Sequence, residues 1–103
     1  MAHSYLLADI PPTLRNRLSK EAAKKNVSIQ TVVLTALYEH YGLEVPPRQR
    51  ERRYSEQLDQ GSSRMVIRGT YELFEEVQRD ADHMSMTMRQ TIIDILSGRF
   101  HRP

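Results

Sequence analysis

Two short stretches of sequence decide the fold: YLLADI at residues 5–10 and RMVIRG at residues 64–69. In both, apolar residues fall on every second position, which is the period of a β-strand with one buried face. A strand of this length needs a neighbour for its backbone donors and acceptors, so we predict that the two pair as an antiparallel ribbon. The inner face of this ribbon is predicted to contain Leu6, Ala8, Ile10, Met65 and Ile67. The outer face is predicted to contain Tyr5, Leu7, Asp9, Arg64, Val66 and Arg68.

The same helical pattern follows each stretch, at a separation of 59 residues. Apolar residues recur at i, i+4 and i+8, which predicts a helix with one buried face. These residues are Leu14, Leu18 and Ala22 in the first copy and Leu73, Val77 and Ala81 in the second. A second helix is predicted to begin after Ser28 and, in the other copy, after Thr87, because hydroxyl side chains are good N-caps. The sequence therefore predicts two strand–helix–helix units.

The predicted units cover residues 1–42 and 63–103, and residues 43–62 form a linker that we expect to be partly helical. The two strands supply each other with a partner, and four helices pack beneath them. The predicted fold class is thus mainly α with a short two-stranded antiparallel ribbon.

Length and composition exclude several classes of protein. A chain of 103 residues is too short for a dehydrogenase, a β/α barrel or a kinase. It has no cysteine, which excludes thiolate metal sites, disulfides and cysteine nucleophiles. No histidine pair has the spacing of a helical metal site, and no nucleophile turn or phosphate-binding glycine loop is present. We expect neither catalysis nor a cofactor. Without an apolar run of about 20 residues or a signal peptide, we expect a cytoplasmic protein with no membrane partner.

A family resemblance is carried by Ile10-Pro11 followed by Leu14, by Asn26-Val27-Ser28, and by Val33 with Ala36-Leu37. This arrangement resembles the ribbon–helix–helix family of DNA-binding proteins, and the second unit resembles the family more loosely. Members usually carry one unit and dimerise. The resemblance therefore implies that this chain is a covalently joined pseudo-dimer.

The resemblance also implies how bases are contacted, because the paired strands of that family enter the major groove of DNA. Arg64 and Arg68 are then expected to bind guanine, and Val66 and Leu7 to touch thymine methyl groups. Asp9 would accept from cytosine or orient Arg64. Tyr5 would face Arg68 in a similar way.

Phosphate contacts are implied at the start of the second helix of each unit, where Ser28 and Thr87 stand. Lys24 and Lys25 precede the first of these turns and add positive charge.

The leading functional hypothesis is a sequence-specific double-stranded DNA-binding protein, a transcriptional repressor of an asymmetric operator, with further copies on adjacent sites. One alternative is an antitoxin whose linker binds a toxin. Others are a relaxosome or partition accessory protein and a protein-interaction module that has lost DNA binding. Sequence leaves open whether the strands pair within one chain or between chains.

Overall fold

The computed structural model describes residues 2–45 and 64–100. Within these residues the chain forms two strands and four helices. Their bounds are β1 Ala2–Leu7, α1 Pro12–Lys25, α2 Ile29–His40, β2 Met65–Thr70, α3 Tyr71–Met84 and α4 Met88–Phe100. The helix predicted within the linker lies outside the described residues. None of the helices in the described part of the chain is long and apolar enough to cross a membrane.

β1 and β2 pair antiparallel, as the sequence predicted, and they do so within the same chain, which the sequence left open. In the register, Leu6 lies opposite Val66 and Leu7 lies opposite Met65. The last residue of β2, Thr70, pairs with Ala2 at the start of β1. The ribbon therefore uses the whole length of both strands.

The core lies between the inner face of the ribbon and the helices. The i, i+4, i+8 residues predicted for α1 and α3 are all buried. α2 contributes most to the core, since eight of its twelve residues are buried. It packs against α1 of its own unit and against α4 and β2 of the second unit. These contacts confirm a mainly helical fold with a short sheet.

The predicted face assignment of β1 is wrong. Leu7 is fully buried and Tyr5 is half-buried against Phe74, whereas Leu6 has 52% of its surface exposed. Ile10 is buried as predicted, although it lies three residues beyond Leu7 rather than two or four. The alternation therefore shifts by one residue between Leu7 and Ile10. Because side chains alternate with period two, such a shift moves every upstream side chain to the other face.

The shift occurs where Asp9 has a φ of 53°, in the left-handed region that Asp tolerates better than most residues. Because the backbone turns at Asp9, Leu7 and Ile10 can both point into the core although they are three residues apart. No such interruption occurs in β2, where Met65, Ile67 and Gly69 are buried in strict alternation and Thr70 leads directly into α3. The predicted faces of β2 are therefore confirmed.

Candidate nucleic-acid interface

The candidate site is the solvent side of the ribbon, which we call the outer ribbon face. It consists of Ser4, Leu6, Arg64, Val66 and Arg68, all exposed. The register places Leu6 opposite Val66 and Ser4 opposite Arg68, and Arg64 directly precedes β2. The two arginines lie four residues apart on one side of the strand, which separates their Cα atoms by about 13 Å. An exposed apolar pair thus lies between two cations.

Three of the six predicted base-contacting residues lie on this face, namely Arg64, Val66 and Arg68. Tyr5 and Leu7 lie on the inner face, where Leu7 is fully buried, so the predicted placement of both on the outer face is wrong. Tyr5 also does not face Arg68, because its partner in the register is Ile67. Burial raises the pKa of the Tyr5 phenol, and the nearby Arg89 guanidinium opposes that shift. The inward packing of Tyr5 explains both observations.

Asp9 is exposed but lies beyond the end of β1, in the connection to α1. Its backbone carbonyl accepts a hydrogen bond from Arg89 Nη2 at 2.8 Å, and the Ala8 carbonyl accepts one from Arg89 Nε at 2.7 Å. The Arg89 guanidinium therefore bridges the first turn of α4 to the end of β1. Arg89 is not among the residues predicted from the sequence, because nothing local to its position indicates a contact with residues about 80 positions away.

The two predicted phosphate-contacting helix starts differ in the exposure of their caps. Thr87 is exposed, and its Oγ1 accepts a hydrogen bond from the Gln90 N–H at 3.0 Å. Ser28 is buried, and its Oγ accepts from the Thr31 N–H at 3.1 Å and shares a hydrogen bond with Thr31 Oγ1 at 2.8 Å. Both caps are confirmed. The Ser28 hydroxyl is used inside the protein, so the phosphate contact implied at this helix start stays a prediction for the backbone N–H groups.

Lys24 and Lys25 are exposed at the end of α1, immediately before this turn. Lys25 Nζ forms an ion pair with Glu21 Oε2 at 2.8 Å, one helical turn away. The hydrogen bond from Lys25 is the main cause of the lowered pKa of Glu21. Positive charge next to the start of α2 is therefore partly neutralised, and Lys24 carries more of it than Lys25.

The junction of β2 and α3 is closely packed under the outer ribbon face. Gly69 is buried, and a Cβ atom there would lie 2.9 Å from Leu73 Cδ2 and 3.3 Å from Tyr38 Oη. The Tyr38 side chain from α2 fills the space beside Gly69, and its phenol oxygen accepts a hydrogen bond from the N–H of Thr70, the last residue of β2.

Comparison of the chain with protein-family models, with curated proteins and with solved structures found no match. Within residues 2–45 and 64–100, no group of three His, Asp or Glu side chains is arranged to hold a metal ion. The outer ribbon face and its surroundings are therefore the candidate site within the described residues.

Proposed function

We propose that the protein binds double-stranded DNA in a sequence-specific manner and acts as a transcriptional repressor. In this proposal each strand–helix–helix unit is one half of an intramolecular pseudo-dimer of ribbon–helix–helix type, and the ribbon enters the major groove of an operator. The protein would occupy that operator sterically, without catalysis or a cofactor. Such a role would place it in the cytoplasm.

The observation that carries the proposal is the composition of the outer ribbon face. The major groove admits a two-stranded ribbon, and each base pair presents a distinct pattern of donors, acceptors and methyl groups there. Arg64 and Arg68 offer guanidinium groups that suit guanine O6 and N7. Leu6 and Val66 lie between them, exposed by 52% and 48%, and offer apolar contact to thymine methyl groups.

Phosphate contacts would orient the ribbon on the duplex. The exposed start of α4 at Thr87 is held next to the end of β1 by Arg89, so a helix N-terminus lies beside the ribbon. Backbone N–H groups at such a terminus favour an anion. Lys24 adds a cation before the start of α2. These groups position the protein but read no sequence.

The two strands contribute unequal chemistry to this face. β1 supplies Ser4 and Leu6, whereas β2 supplies Val66 and Arg68, preceded by Arg64. Because only one of the two strands carries arginine, the ribbon does not present the same groups to both halves of a palindromic site. We therefore propose an asymmetric operator.

The test is selection of purified protein against a randomised duplex pool, followed by titration of the selected duplex. We expect a non-palindromic motif and an affinity that falls with salt, since bound phosphates release counterions. Arg68→Ala is expected to weaken binding by about 5- to 150-fold, which is the range for one bidentate arginine–guanine pair.

The matched control is Arg99→Ala. Arg99 is also an exposed arginine, but it lies ten residues beyond Arg89, about 15 Å along the axis of α4, and it pairs with Glu39 of α2. Its removal is expected to change affinity less than twofold. Enrichment of perfect inverted repeats would contradict the asymmetric operator. Failure to enrich any motif, with no salt-dependent binding, would contradict DNA binding altogether.

A second candidate function is a protein-interaction module that has lost DNA binding. The exposed Leu6 and Val66 pair favours it, because two adjacent apolar side chains on a ribbon also suit a protein surface. Under this alternative, Leu6→Ser and Val66→Ser would abolish partner binding while Arg68→Ala would leave it unchanged. The antitoxin alternative depends on the linker, most of which lies outside the described residues.

A further inference from the structure

The first helices of the two units carry opposite charge. α1 has five lysine or arginine side chains and one acidic one, whereas α3 has five acidic side chains, one arginine and one histidine. The exposed residues of this set include Lys20, Lys24 and Lys25 on α1 and Glu72, Glu75 and Asp82 on α3. The helices occupy the same place in their units and share the same buried positions. The difference is therefore confined to their surfaces.

The two helices leave the ribbon at opposite ends. Leu7, the last residue of β1, pairs with the first residue of β2, and Thr70 pairs with the first residue described for β1. α1 follows the end of β1 after four residues, and α3 follows Thr70 directly. One end of the ribbon therefore leads to a basic helix and the other to an acidic helix.

The surface of α3 also contains a groove. An open depression of about 510 Å³ lies against the helix, and its lining includes His3, Tyr71, Phe74, Glu75, Arg79 and Asp82. Arg79 forms ion pairs with Glu75 and Glu76 of the same helix at 3.3 and 2.7 Å, and Asp82 accepts a hydrogen bond from Gln78. A lysine bound in the groove would share these exposed carboxylates with Arg79. Tyr71 is 58% exposed and contacts His3 in a tilted arrangement, with ring centroids 5.2 Å apart. Aromatic rings next to carboxylates suit lysine side chains, whose methylene stems pack on rings while the ammonium group meets the acid.

We propose that copies of this chain associate head to tail, with the basic surface of α1 of one copy bound in the groove beside α3 of the next. This inference does not depend on DNA binding. Charge complementarity identifies the occupant: Lys20 and Lys24 of one copy face Glu75 and Asp82 of another.

Charge disfavours two symmetric arrangements. A two-fold axis through α1 would bring basic surfaces together, and an axis through α3 would bring acidic surfaces together, both of which cost energy. A two-fold dimer with two reciprocal α1–α3 contacts satisfies the charges but stops at two copies, so the size of the assembly distinguishes it from head-to-tail association. In head-to-tail association, the copy at one end of the assembly keeps a free α1 surface and the copy at the other end keeps a free α3 groove. Further copies can therefore add at both ends, and an open chain forms unless the rotation between copies closes a ring.

The test is sedimentation velocity of the full chain without DNA, over a concentration series at low and high salt. We expect the weight-average sedimentation coefficient to rise with concentration beyond that of a dimer, and to rise less at high salt. Lys20→Glu/Lys24→Glu and Glu75→Lys/Asp82→Lys are each expected to raise the dissociation constant by at least about tenfold. Circular dichroism checks that both variants fold.

Mixing the two variants is the decisive step. The first variant removes the net positive charge of α1 and the second removes the net negative charge of α3, so each is expected to fail alone. In the mixture, the unchanged α3 of the first variant meets the unchanged α1 of the second, and the mixture is expected to associate. The control Glu44→Lys/Asp94→Lys makes the same change in charge at exposed positions that do not line the groove, and should associate like the wild type.

Three results would overturn the proposal. One is a sedimentation coefficient independent of concentration, which would also be the result if the basic run at residues 48–53 of the same chain occupied the groove. Another is association that stops at a dimer. The third is a mixture that associates no better than its components. None of these results bears on whether the ribbon binds DNA.

Discussion

The phenol oxygen of Tyr38 accepts a hydrogen bond from the backbone N–H of Thr70 at 2.9 Å. Tyr38 belongs to α2 of the first unit and is almost completely buried, whereas Thr70 ends β2 and caps α3 of the second unit. Thr70 Oγ1 accepts the Leu73 N–H at 3.3 Å. One side chain of the first unit therefore fixes the point at which the second unit changes from strand to helix.

Removing this phenol oxygen tests its contribution to stability. Tyr38→Phe leaves the Thr70 N–H without its acceptor in a partly buried place, so we expect the free energy of unfolding to fall by about 1–2 kcal/mol. Urea denaturation measures the change. Tyr71→Phe, at an exposed tyrosine, is the control and should change it by less than about 0.5 kcal/mol. Equal effects of the two variants would show that the hydrogen bond contributes nothing.

Two glycines are expected to respond to alanine in opposite directions. Gly69→Ala places a methyl group 2.9 Å from Leu73 Cδ2, so we expect overpacking to destabilise the fold by about 1–3 kcal/mol. Gly98 lies in α4 with nothing within 4 Å of an added Cβ. Gly98→Ala is expected to stabilise by up to about 1 kcal/mol, because alanine favours helix. Thermal unfolding of both variants gives the signs, and a stabilising Gly69→Ala would contradict the close packing.

Adjacent leucines in β1 test the shift in alternation. Leu7→Ala removes a fully buried side chain and should destabilise by about 2–5 kcal/mol. Leu6→Ala removes a half-exposed side chain and should cost less than about 1 kcal/mol. Chemical denaturation of the two variants measures the difference. The reverse order would restore the faces that the sequence alone predicted.

Stability at high pH is expected to depend on Tyr41. Its Oη donates a hydrogen bond to Asp80 Oδ2 at 3.0 Å, and burial followed by this bond and the Asp80 charge raises the pKa of the Tyr41 phenol. The folded state therefore holds the proton more tightly than the unfolded state. The resulting stability is complete below about pH 10, the ordinary pKa of tyrosine, and is lost progressively above it.

The free energy of unfolding, measured between about pH 8 and pH 11, checks this dependence. Tyr41→Phe should be less stable than the wild type near neutral pH and should lose less stability as the pH rises. Parallel curves for the two proteins would show that Tyr41 does not contribute to the slope.

The helices and their caps could be predicted from the sequence because the information is local. Spacing of four residues identified Leu14 and Leu73 as core residues, and a hydroxyl before each second helix identified Ser28 and Thr87 as caps. The order of elements and the antiparallel pairing followed from the same patterns.

The face of β1 could not be predicted in this way. Leu6 and Leu7 are both leucine, so the sequence of β1 fits either Leu6 or Leu7 on the buried face. Regular alternation back from Ile10 favoured Leu6, which the structure shows to be exposed. The backbone at Asp9 decides between them, and a positive φ there is only one of the conformations that aspartate adopts. The contacts of Arg89 and Tyr38 join residues distant in sequence, so no local pattern carries them.

The pairing of β1 with β2 inside one chain also affects how the protein can evolve. In a ribbon built from two identical chains, each substitution appears on both strands and must suit both. Here Leu6 and Val66 face each other but are specified by separate codons. A mutation can therefore alter one half of the exposed face while the other half is retained, so each half can adapt independently.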